Sequence, residues 1–354
     1  MRDRQKGLMV KPKINTMKEL SGAIGISRPT LSRYFQDPSS VLPGTAKKIE
    51  SRLAEVDYVY NFIATRQNRE KSGLLGVVVP HFNDLFFTSL LESIDKYARK
   101  EGVTVITQSS HGDLEQEIKA VGKLRSMGVD GALIAPLGAQ SSTDAFQRAS
   151  KDFPIVFMDS QPGGAIGVAD FVGTDNVQSI GAIVEYLCRI GESPVFLGMP
   201  HLNSNALERE AAYKNAMMSF GCDPVLIDHC GFSETWDFEA LGFSIMDHHF
   251  SRKRHINDAI LCANDRIAIG AIRAANRHGL FSRGPDARGS LKIAWHDDHP
   301  LSQYMYPALT TMTQDVDAIG QSAVRLVLER AYHGKTGGFE VHLQPASLCL
   351  RESA

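Results

Sequence analysis

Short apolar runs alternate with longer amphipathic stretches from residue 73 onward, and this alternation constrains the fold more than any other feature of the chain. The apolar runs are rich in Val, Ile and Leu, as buried parallel strands are, and span 74–80, 103–107, 131–136, 154–159, 171–175, 194–199, 259–265 and 291–298. Helical periodicity marks the stretches between them, including 86–100, 113–127, 176–190, 206–220, 236–250 and 266–278. Repeated strand–helix units predict a doubly wound α/β architecture, either one long parallel sheet or two smaller lobes.

The predicted strands also locate a binding crevice. Ligands of open α/β sheets bind outside the carboxyl ends of the strands. The residues at or just after those ends are Pro80, Asp159, Asp175, Asn264 and Asp297. Since most of them are polar, the sequence predicts a polar cleft at this edge of the sheet.

Charge divides the chain into two parts. The first 71 residues hold 14 lysines and arginines against 7 acidic residues, whereas the remainder holds 24 against 33. A basic head on an acidic body is typical of a protein that contacts nucleic acid at one end. A basic but merely solvated surface is the alternative that charge alone leaves open.

The basic head contains the signals of two helices joined by a tight turn. Thr16 followed by Glu19 predicts a capping box at the start of the first helix. Gly25 permits the turn, and Ser27 can cap the second helix. The apolar side chains are spaced to form one small core, made of Leu20, Ile24, Ile26, Leu31 and Phe35, to which a third helix near 43–55 adds Ile49 and Leu53.

The second helix is expected to present its polar side to DNA. Residues one turn apart share a helix face, so Arg28, Pro29, Ser32 and Arg33 point outward together. Arginine at the start of an exposed helix can bind guanine O6 and N7 in the major groove. The hydroxyl groups available for phosphate contacts belong to Ser27, Thr30 and Ser32.

The segment TMKELSGAIGISRPTLSR, residues 16–33, resembles the T-x-x-D-V-A-x-x-A-G-V-S-x-x-T-V-S-R pattern of the lactose-repressor (LacI) family. The resemblance extends from Thr16 to Glu352. It implies that Arg28, Pro29 and Arg33 read bases, and Thr16 joins the expected DNA-binding set.

The same family carries a hinge helix that follows a Y-x-P-N-x-x-A-R-x-L pattern and inserts a leucine into the minor groove. The corresponding stretch is YVYNFIATRQ, residues 58–67, where Asn61 and Ala64 match the pattern and Gln67 replaces the leucine. The resemblance implies DNA contacts by all three. Gln67 either hydrogen-bonds in the minor groove or leaves the apolar contact to Phe62.

Motifs of the body resemble the family in the same order along the chain. They are VVVPHFNDLFF (77–87), VFMDSQ (156–161), VGTDN (172–176), LEREAAY (207–213), AND (263–265), IAWHDDHP (293–300) and PALTTMTQD (307–315). They imply a two-lobed sensor similar to periplasmic binding proteins, with two parallel sheets and a cleft between the lobes. The effector-binding residues implied are His81, Asp84, Phe86, Asp159, Arg209, Phe232, Asn264, Asp297 and Gln314.

Asp, Asn and Gln side chains exchange hydrogen bonds with hydroxyl pairs, and aromatic rings cover apolar sugar faces. The expected effector is therefore a sugar, a polyol or a sugar acid. His81, where the family usually has an acidic residue, favours a partly anionic ligand as a hypothesis.

These observations predict a transcription regulator, most simply a repressor of carbohydrate catabolism or transport genes, that binds double-stranded operator DNA as a homodimer or tetramer. The effector in the interlobe cleft is expected to control DNA binding allosterically. The expected organisation is a basic arm (1–15), an all-α helix-turn-helix head (16–59), a hinge (60–72) and a sensor (73–354) whose chain crosses between lobes about three times. A sugar-binding protein of a transport system is the alternative with the same sensor fold.

Other classes are disfavoured. His296 to His299 and the pair His248 and His249 lack the i, i+4 spacing of zinc proteases, and neither a phosphate loop nor a nucleophile elbow is present, so no metal, cofactor or catalysis is expected. The five cysteines include no CxxC pair. With no signal-like or membrane-spanning run, the sequence predicts a cytoplasmic, nucleoid-associated protein without membrane contacts.

Overall fold

The computed structural model describes residues 11–58, 71–163, 169–232, 235–281 and 291–354. The chain divides into two compact units, residues 1–72 and 73–354, which we call the head and the body. The expected hinge contacts of Asn61, Ala64 and Gln67 lie outside the described residues. Within the described ranges, no helix has the length and apolar character needed to cross a lipid bilayer.

The described part of the head contains three α-helices, a short 3-10 helix (Pro38–Ser40) and one strand pair. The helices are α1 (Met17–Ile24), α2 (Arg28–Gln36) and α3 (Pro43–Leu53), and the strands β1 (Lys13–Ile14) and β2 (Asp57–Tyr58) pair in parallel. Leu20, Leu31 and Ile49 are fully buried in its core, and Ile26, Phe35 and Leu53 pack against them.

The strand pair departs from the expected all-α head and from an arm that extends to residue 15. Ile14 is 8% exposed and belongs to the core. An apolar residue next to lysines and an asparagine gives no periodic signal, so only the folded head shows that its burial fixes this segment.

The capping predictions for the head are confirmed. The Thr16 hydroxyl accepts from the Glu19 amide at 3.1 Å, and the Glu19 carboxylate accepts from the Thr16 amide at 3.3 Å. Gly25 ends α1 in the left-handed conformation with φ of 66°, where the absence of Cβ removes the steric cost. Ser27 caps α2 by accepting from the Thr30 amide at 3.4 Å.

The body contains two lobes, each built on a parallel sheet. The N-lobe sheet has six strands, namely β3 (Leu74–Val79), β4 (Thr104–Ser109), β5 (Gly131–Ile134), β6 (Ile155–Met158), β7 (Asp170–Thr174) and β12 (Val341–Gln344). They lie in the order β12-β7-β6-β5-β3-β4, all parallel. The N-lobe helices are α4 (Leu85–Lys100), α5 (Leu114–Met127), α6 (Thr143–Ala149) and α11 (Val316–Tyr332).

The C-lobe sheet has five strands, namely β8 (Val195–Leu197), β9 (Ala259–Cys262), β10 (Lys292–Asp297), β11 (Thr310–Thr313) and β13 (Ser347–Cys349). Their order is β13-β11-β10-β9-β8, and β13 alone among these five runs antiparallel. The C-lobe helices are α7 (Asn176–Arg189), α8 (Ser204–Ser219), α9 (Phe238–Ser251) and α10 (Asp265–Arg277).

The chain passes between the lobes at three places in the described structure, after β7, after β11 and after β12. Each of the eight predicted apolar runs forms a strand. The strands β11, β12 and β13 were not among them, because a Thr-rich strand and two half-exposed edge strands lack a continuous apolar run. The predicted fold class is confirmed, with two lobes whose sheets are parallel except for the edge strand β13.

Candidate functional site

A cleft between the two lobes of the body lies at the carboxyl ends of their strands. It has an empty volume of about 900 Å³, counting the space at its open mouth, within the range of small-molecule sites. Seven of the nine predicted effector residues line it: Asp84, Phe86, Asp159, Arg209, Asn264, Asp297 and Gln314.

Arg209 and Asp297 form the buried centre of the cleft. The Arg209 side chain is 3% exposed, and its Nη2 lies 3.0 Å from Asp297 Oδ1. Arg209 Nε donates to Asn176 at 2.9 Å and Nη1 donates to the Ala263 carbonyl at 2.8 Å. Each of the three guanidinium nitrogens of Arg209 thus contacts a protein group.

Asp297 is held in one orientation by donors that share a single oxygen. Besides Arg209, His296 Nδ1 at 2.7 Å and Gln314 Nε2 at 2.6 Å both reach Oδ1. No donor from the described residues reaches Oδ2. Although burial opposes ionisation, Arg209 and these donors hold the pKa of Asp297 below its usual value. Oδ2 is therefore a charged acceptor available to a ligand hydroxyl.

His296 holds the Asp297 carboxylate in place through a hydrogen bond. It is fully buried, and burial, reinforced by Arg209, lowers its pKa to about 4. The ring is therefore neutral near pH 7, donating through Nδ1 to Asp297 and accepting at Nε2 from the Ser179 hydroxyl at 2.8 Å. This histidine serves the site through Asp297.

Three aspartates of the cleft lining, Asp159, Asp297 and Asp298, have positive φ. Asp159 and Asp297 have φ of 62° and 113°, values that side-chain-bearing residues rarely adopt. Each stands at the carboxyl end of a strand, β6 or β10, where the chain turns toward the cleft. Residues in such conformations cluster at ligand sites, so the strain supports a binding role for both.

Asp159 differs from Asp297 in its ionisation. Its Oδ1 accepts from Asn205 Nδ2 at 3.0 Å. Burial raises the pKa of Asp159 to about 7 although Arg209 opposes the change, with Asp297 adding to the increase. Asp159 can therefore donate or accept a hydrogen bond near neutral pH.

Asn264 and Gln314 have structural partners as well as a place in the lining. Asn264 Oδ1 caps α10 by accepting from the Ile267 amide at 2.8 Å. Gln314 follows β11 at a crossover, and its Oε1 accepts from the Thr174 hydroxyl at another crossover. Gln314 thus joins Asp297 to two of the three connections between the lobes.

Two predicted effector residues lie outside the cleft lining. His81 packs beside Trp236, with ring centroids 5.8 Å apart, and burial followed by Arg266 and His111 lowers its pKa. Phe232 is 38% exposed and makes an edge contact with His248. The structure therefore gives no support to the anionic-ligand hypothesis that was based on His81.

The sequence reasoning missed the aromatic wall of the cleft. Trp236 and Phe238 line it, as does Arg266, whose guanidinium lies 5.1 Å from the Phe238 ring centroid. The run WDFE (residues 236–239), which leads into the first turn of α9, was the available signal for this wall. It places two aromatic and two acidic residues at the start of a helix. Without a metal-like or family motif, that run has no distinctive pattern.

In the head, α2 carries the predicted DNA-binding side chains. Arg28, Pro29 and Arg33 are exposed, and neither arginine has an ion-pair partner among the described residues. Ser27 and Thr30 share a hydroxyl contact of 2.8 Å, so both are partly engaged in capping. Thr16 is exposed but belongs to the capping box, and Ser32 is half-buried.

Within the described residues, no group of three or more His, Cys, Asp or Glu side chains is arranged to hold a metal ion. The cleft of the body presents hydrogen-bonding and aromatic side chains. The head, in the first part of the sequence, contains a helix-turn-helix formed by α1 and α2. Together they define a DNA-binding protein with a ligand-sensing unit.

Comparison with known proteins gives the family. Residues 9–60 match a helix-turn-helix model, and residues 75–336 match the periplasmic binding protein domain. The chain belongs to the LacI family of DNA-binding transcription regulators.

Two curated relatives span nearly the whole chain. The transcriptional repressor PurR of Vibrio campbellii is 24% identical over 321 residues, covering 89% of this chain and 91% of the relative. The ribose operon repressor of Bacillus subtilis is 24% identical over 316 residues, with coverage of 88% and 90%. The fold is similar to that in a crystal structure of the lac repressor dimer bound to operator and the anti-inducer ONPF. The TM-score is 0.79 at 24% sequence identity, and the match covers 97% of this chain and 99% of the lac repressor chain.

Proposed function

We propose that this chain is an operator-binding repressor that responds to a neutral, polyhydroxylated effector in the interlobe cleft. The observation that carries the proposal is the Arg209–Asp297 centre, which leaves one charged acceptor oxygen of Asp297 without a protein donor in a cleft with aromatic walls. Such groups match vicinal hydroxyls and the apolar face of a sugar ring. The two curated repressors support the DNA-binding part of the proposal.

Charge in the cleft favours a neutral ligand over a sugar acid. The lining holds two arginines and five aspartates, Asp84, Asp159, Asp265, Asp297 and Asp298. Burial raises the pKa of Asp84, Asp159 and Asp265, so this site disfavours added negative charge. Both guanidinium groups already form ion pairs with carboxylates: Arg209 pairs with Asp297, and Arg266 pairs with Glu239. An anionic effector would have to replace one of these carboxylates and approach the others, which costs free energy.

Isothermal titration calorimetry tests the ligand class. The intact protein is titrated with neutral pentoses, hexoses, polyols and nucleosides, and separately with uronic and aldonic acids. We expect binding from the neutral group only. Binding confined to the sugar acids would contradict the neutral-effector proposal while leaving the DNA-binding part intact.

Operator binding is assigned to α2, with Arg28 and Arg33 at base edges and Pro29 beside them. The phosphates are contacted by the hydroxyl groups of Ser27, Thr30 and Ser32 and by Thr16, the N-cap residue of α1. A gel-shift experiment with the intact protein and DNA upstream of its own gene tests this. We expect a sequence-specific complex whose affinity changes when the effector is added, and no complex with any fragment at low salt would overturn the proposal.

We further propose that two copies act together, as a homodimer or tetramer, because two heads are required for a pseudo-palindromic operator with half-sites about one helical turn apart. Sedimentation of the free protein and of its DNA complex gives the stoichiometry. The protein is expected to act in the cytoplasm, on nucleoid DNA, and to release any bound sugar chemically unchanged.

A further inference from the structure

One ion pair joins the two lobes across the cleft. Asp84 stands at the start of α4 in the N-lobe, and Arg266 lies in the first turn of α10 in the C-lobe. Arg266 Nη1 lies 3.3 Å from Asp84 Oδ2, and the side chains are 17% and 14% exposed. Partial burial limits screening of this pair by salt, and it also raises the pKa of Asp84 against the opposing effect of Arg266.

Each partner is held in place by its own lobe. Asp84 Oδ1 caps α4 by accepting from the Phe86 amide at 3.0 Å. Arg266 is bound by both oxygens of Glu239, with Nε–Oε1 of 2.8 Å and Nη2–Oε2 of 2.7 Å. Because both side chains are already ordered within their lobes, little further conformational entropy is lost when the lobes bring them together.

Close packing beside the ion pair shows that the lobes are in tight contact there. Trp236 of the C-lobe contacts His81 and the Gly112 turn of the N-lobe. A Cβ added to Gly112 would lie 2.8 Å from Trp236 Cδ1, which leaves no room for a side chain. Trp236 in turn packs on Phe238, over which Arg266 lies. The tryptophan and the ion pair therefore belong to one continuous contact along an edge of the cleft.

We propose that the Asp84–Arg266 ion pair, supported by Glu239, stabilises the closed arrangement of the lobes in the absence of ligand and must separate for a ligand to reach the cleft. The pair acts on the position of the lobes and need not contact the effector. The inference rests on the proposed function in that the cleft holds an effector, but closure itself can be measured without one.

Trp236 provides the measurement. The chain has two tryptophans; Trp295 is fully buried in the C-lobe core, whereas Trp236 is half-buried at the lobe contact. Acrylamide quenching of the intact protein, free of DNA and sugars, therefore reports mainly on access to Trp236, and Trp236→Phe assigns the signal.

The variants are Asp84→Asn, Arg266→Gln and their combination. Asparagine caps helices about as well as aspartate, so Asp84→Asn removes the charge and keeps the cap. We expect each single variant to raise the open-to-closed ratio about fivefold and hence the quenching constant of Trp236. The double variant should go no further than the larger single effect, because one interaction is removed twice.

Asp95→Asn is the matched control. Asp95 lies on the same helix α4 and pairs with Arg99 on the exposed surface, so the charge change is identical but no lobe contact is lost. Its quenching should equal that of the unmodified protein. Unchanged quenching in Asp84→Asn and Arg266→Gln, or fully additive effects in the double variant, would overturn the inference. Either result leaves the gel-shift and calorimetric tests of the proposed function unaffected, since those use DNA and ligand.

Discussion

The head and the cleft hold their arginines in opposite ways. Arg28 and Arg33 are exposed on α2 and have no acidic partner in the described part of the chain. Arg209 is 3% exposed and is bound by a carboxylate, an amide oxygen and a main-chain carbonyl. Among the described residues, the charges of Arg28 and Arg33 have no acidic partner and can be compensated by an external anion such as DNA, whereas that of Arg209 is compensated within the protein.

This difference determines what each region can bind and what a mutation there should do. An uncompensated basic helix attracts phosphates over a distance and gains affinity from them. A compensated cleft recognises a neutral ligand through the donors and acceptors that remain. Substitutions of exposed arginines should therefore weaken DNA binding and spare stability, and substitutions in the cleft should reduce the stability of the fold itself.

Arg209→Ala should have the largest effect. It leaves Asp297 without its buried counter-ion and removes the hydrogen bonds to Asn176 and to the main chain, which we expect to cost about 3–5 kcal/mol of unfolding free energy. Urea denaturation followed by circular dichroism measures the loss. Arg189→Ala, at a side chain that is 74% exposed, should cost less than about 0.5 kcal/mol. Equal losses of unfolding free energy in Arg209→Ala and Arg189→Ala would show that the buried arginine of the cleft contributes no more to stability than an exposed one.

Asp159 should make stability depend on pH. Its folded pKa of about 7 lies above the value of 3.8 expected without the fold, so its contribution is fully present below pH 3.8 and is lost as the pH rises through 7. Relative to Asp159→Asn, the unmodified protein should therefore lose up to about 1.4 kcal/mol per pH unit between pH 5 and 7, then level off. Urea midpoints at pH 5, 6, 7 and 8 measure this. Parallel pH profiles for the two proteins would show that Asp159 has an ordinary pKa.

Arg33→Ala tests the other side of the comparison. A bidentate arginine–guanine contact is worth about 1–3 kcal/mol, so operator affinity should fall by that amount and specificity should relax at one base position. The urea midpoint should not change, because the exposed Arg33 side chain has no ion-pair partner in the described residues. Competition gel shifts with single-base operator variants locate the affected position. An equal loss on random DNA would make Arg33 a phosphate contact.

Thr16→Ala should have the smallest effect. Loss of the capping box at α1 is expected to destabilise the head by about 1 kcal/mol. Thermal unfolding measures the change, and Lys18→Ala, one position before Glu19 on the same exposed helix turn, serves as the control. A head that is equally stable in both variants would show that the cap contributes little to folding.

The head was largely predictable because its signals are local. The capping box, the turn glycine and the helical spacing of Leu20, Ile24 and Leu31 act within a few residues of one another, and the structure confirms each. The exception is Ile14, which pairs through β1 with a segment more than forty residues away. Pairing over that separation leaves no periodic pattern near Ile14.

The cleft was predictable only in part. Strand-end positions and family motifs indicated Asp159, Asn264 and Asp297, but they did not indicate that Trp236 and Arg266 would line the cleft or that His81 would pack beside the tryptophan. These side chains come from elements far apart along the chain. Their meeting depends on sheet order and on the crossovers, which local propensity does not specify.

The amino-acid sequence by itself determined the type and order of most elements, the basic head and the polar strand ends, because periodicity, capping and charge are read within single segments. Only the tertiary structure decided that Asp297 Oδ1 is shared by three donors, that Asp159 ionises near pH 7 and that Asp84 meets Arg266. Each of these depends on burial and on distances between segments of separate strands and helices, and electrostatic free energies change steeply with both.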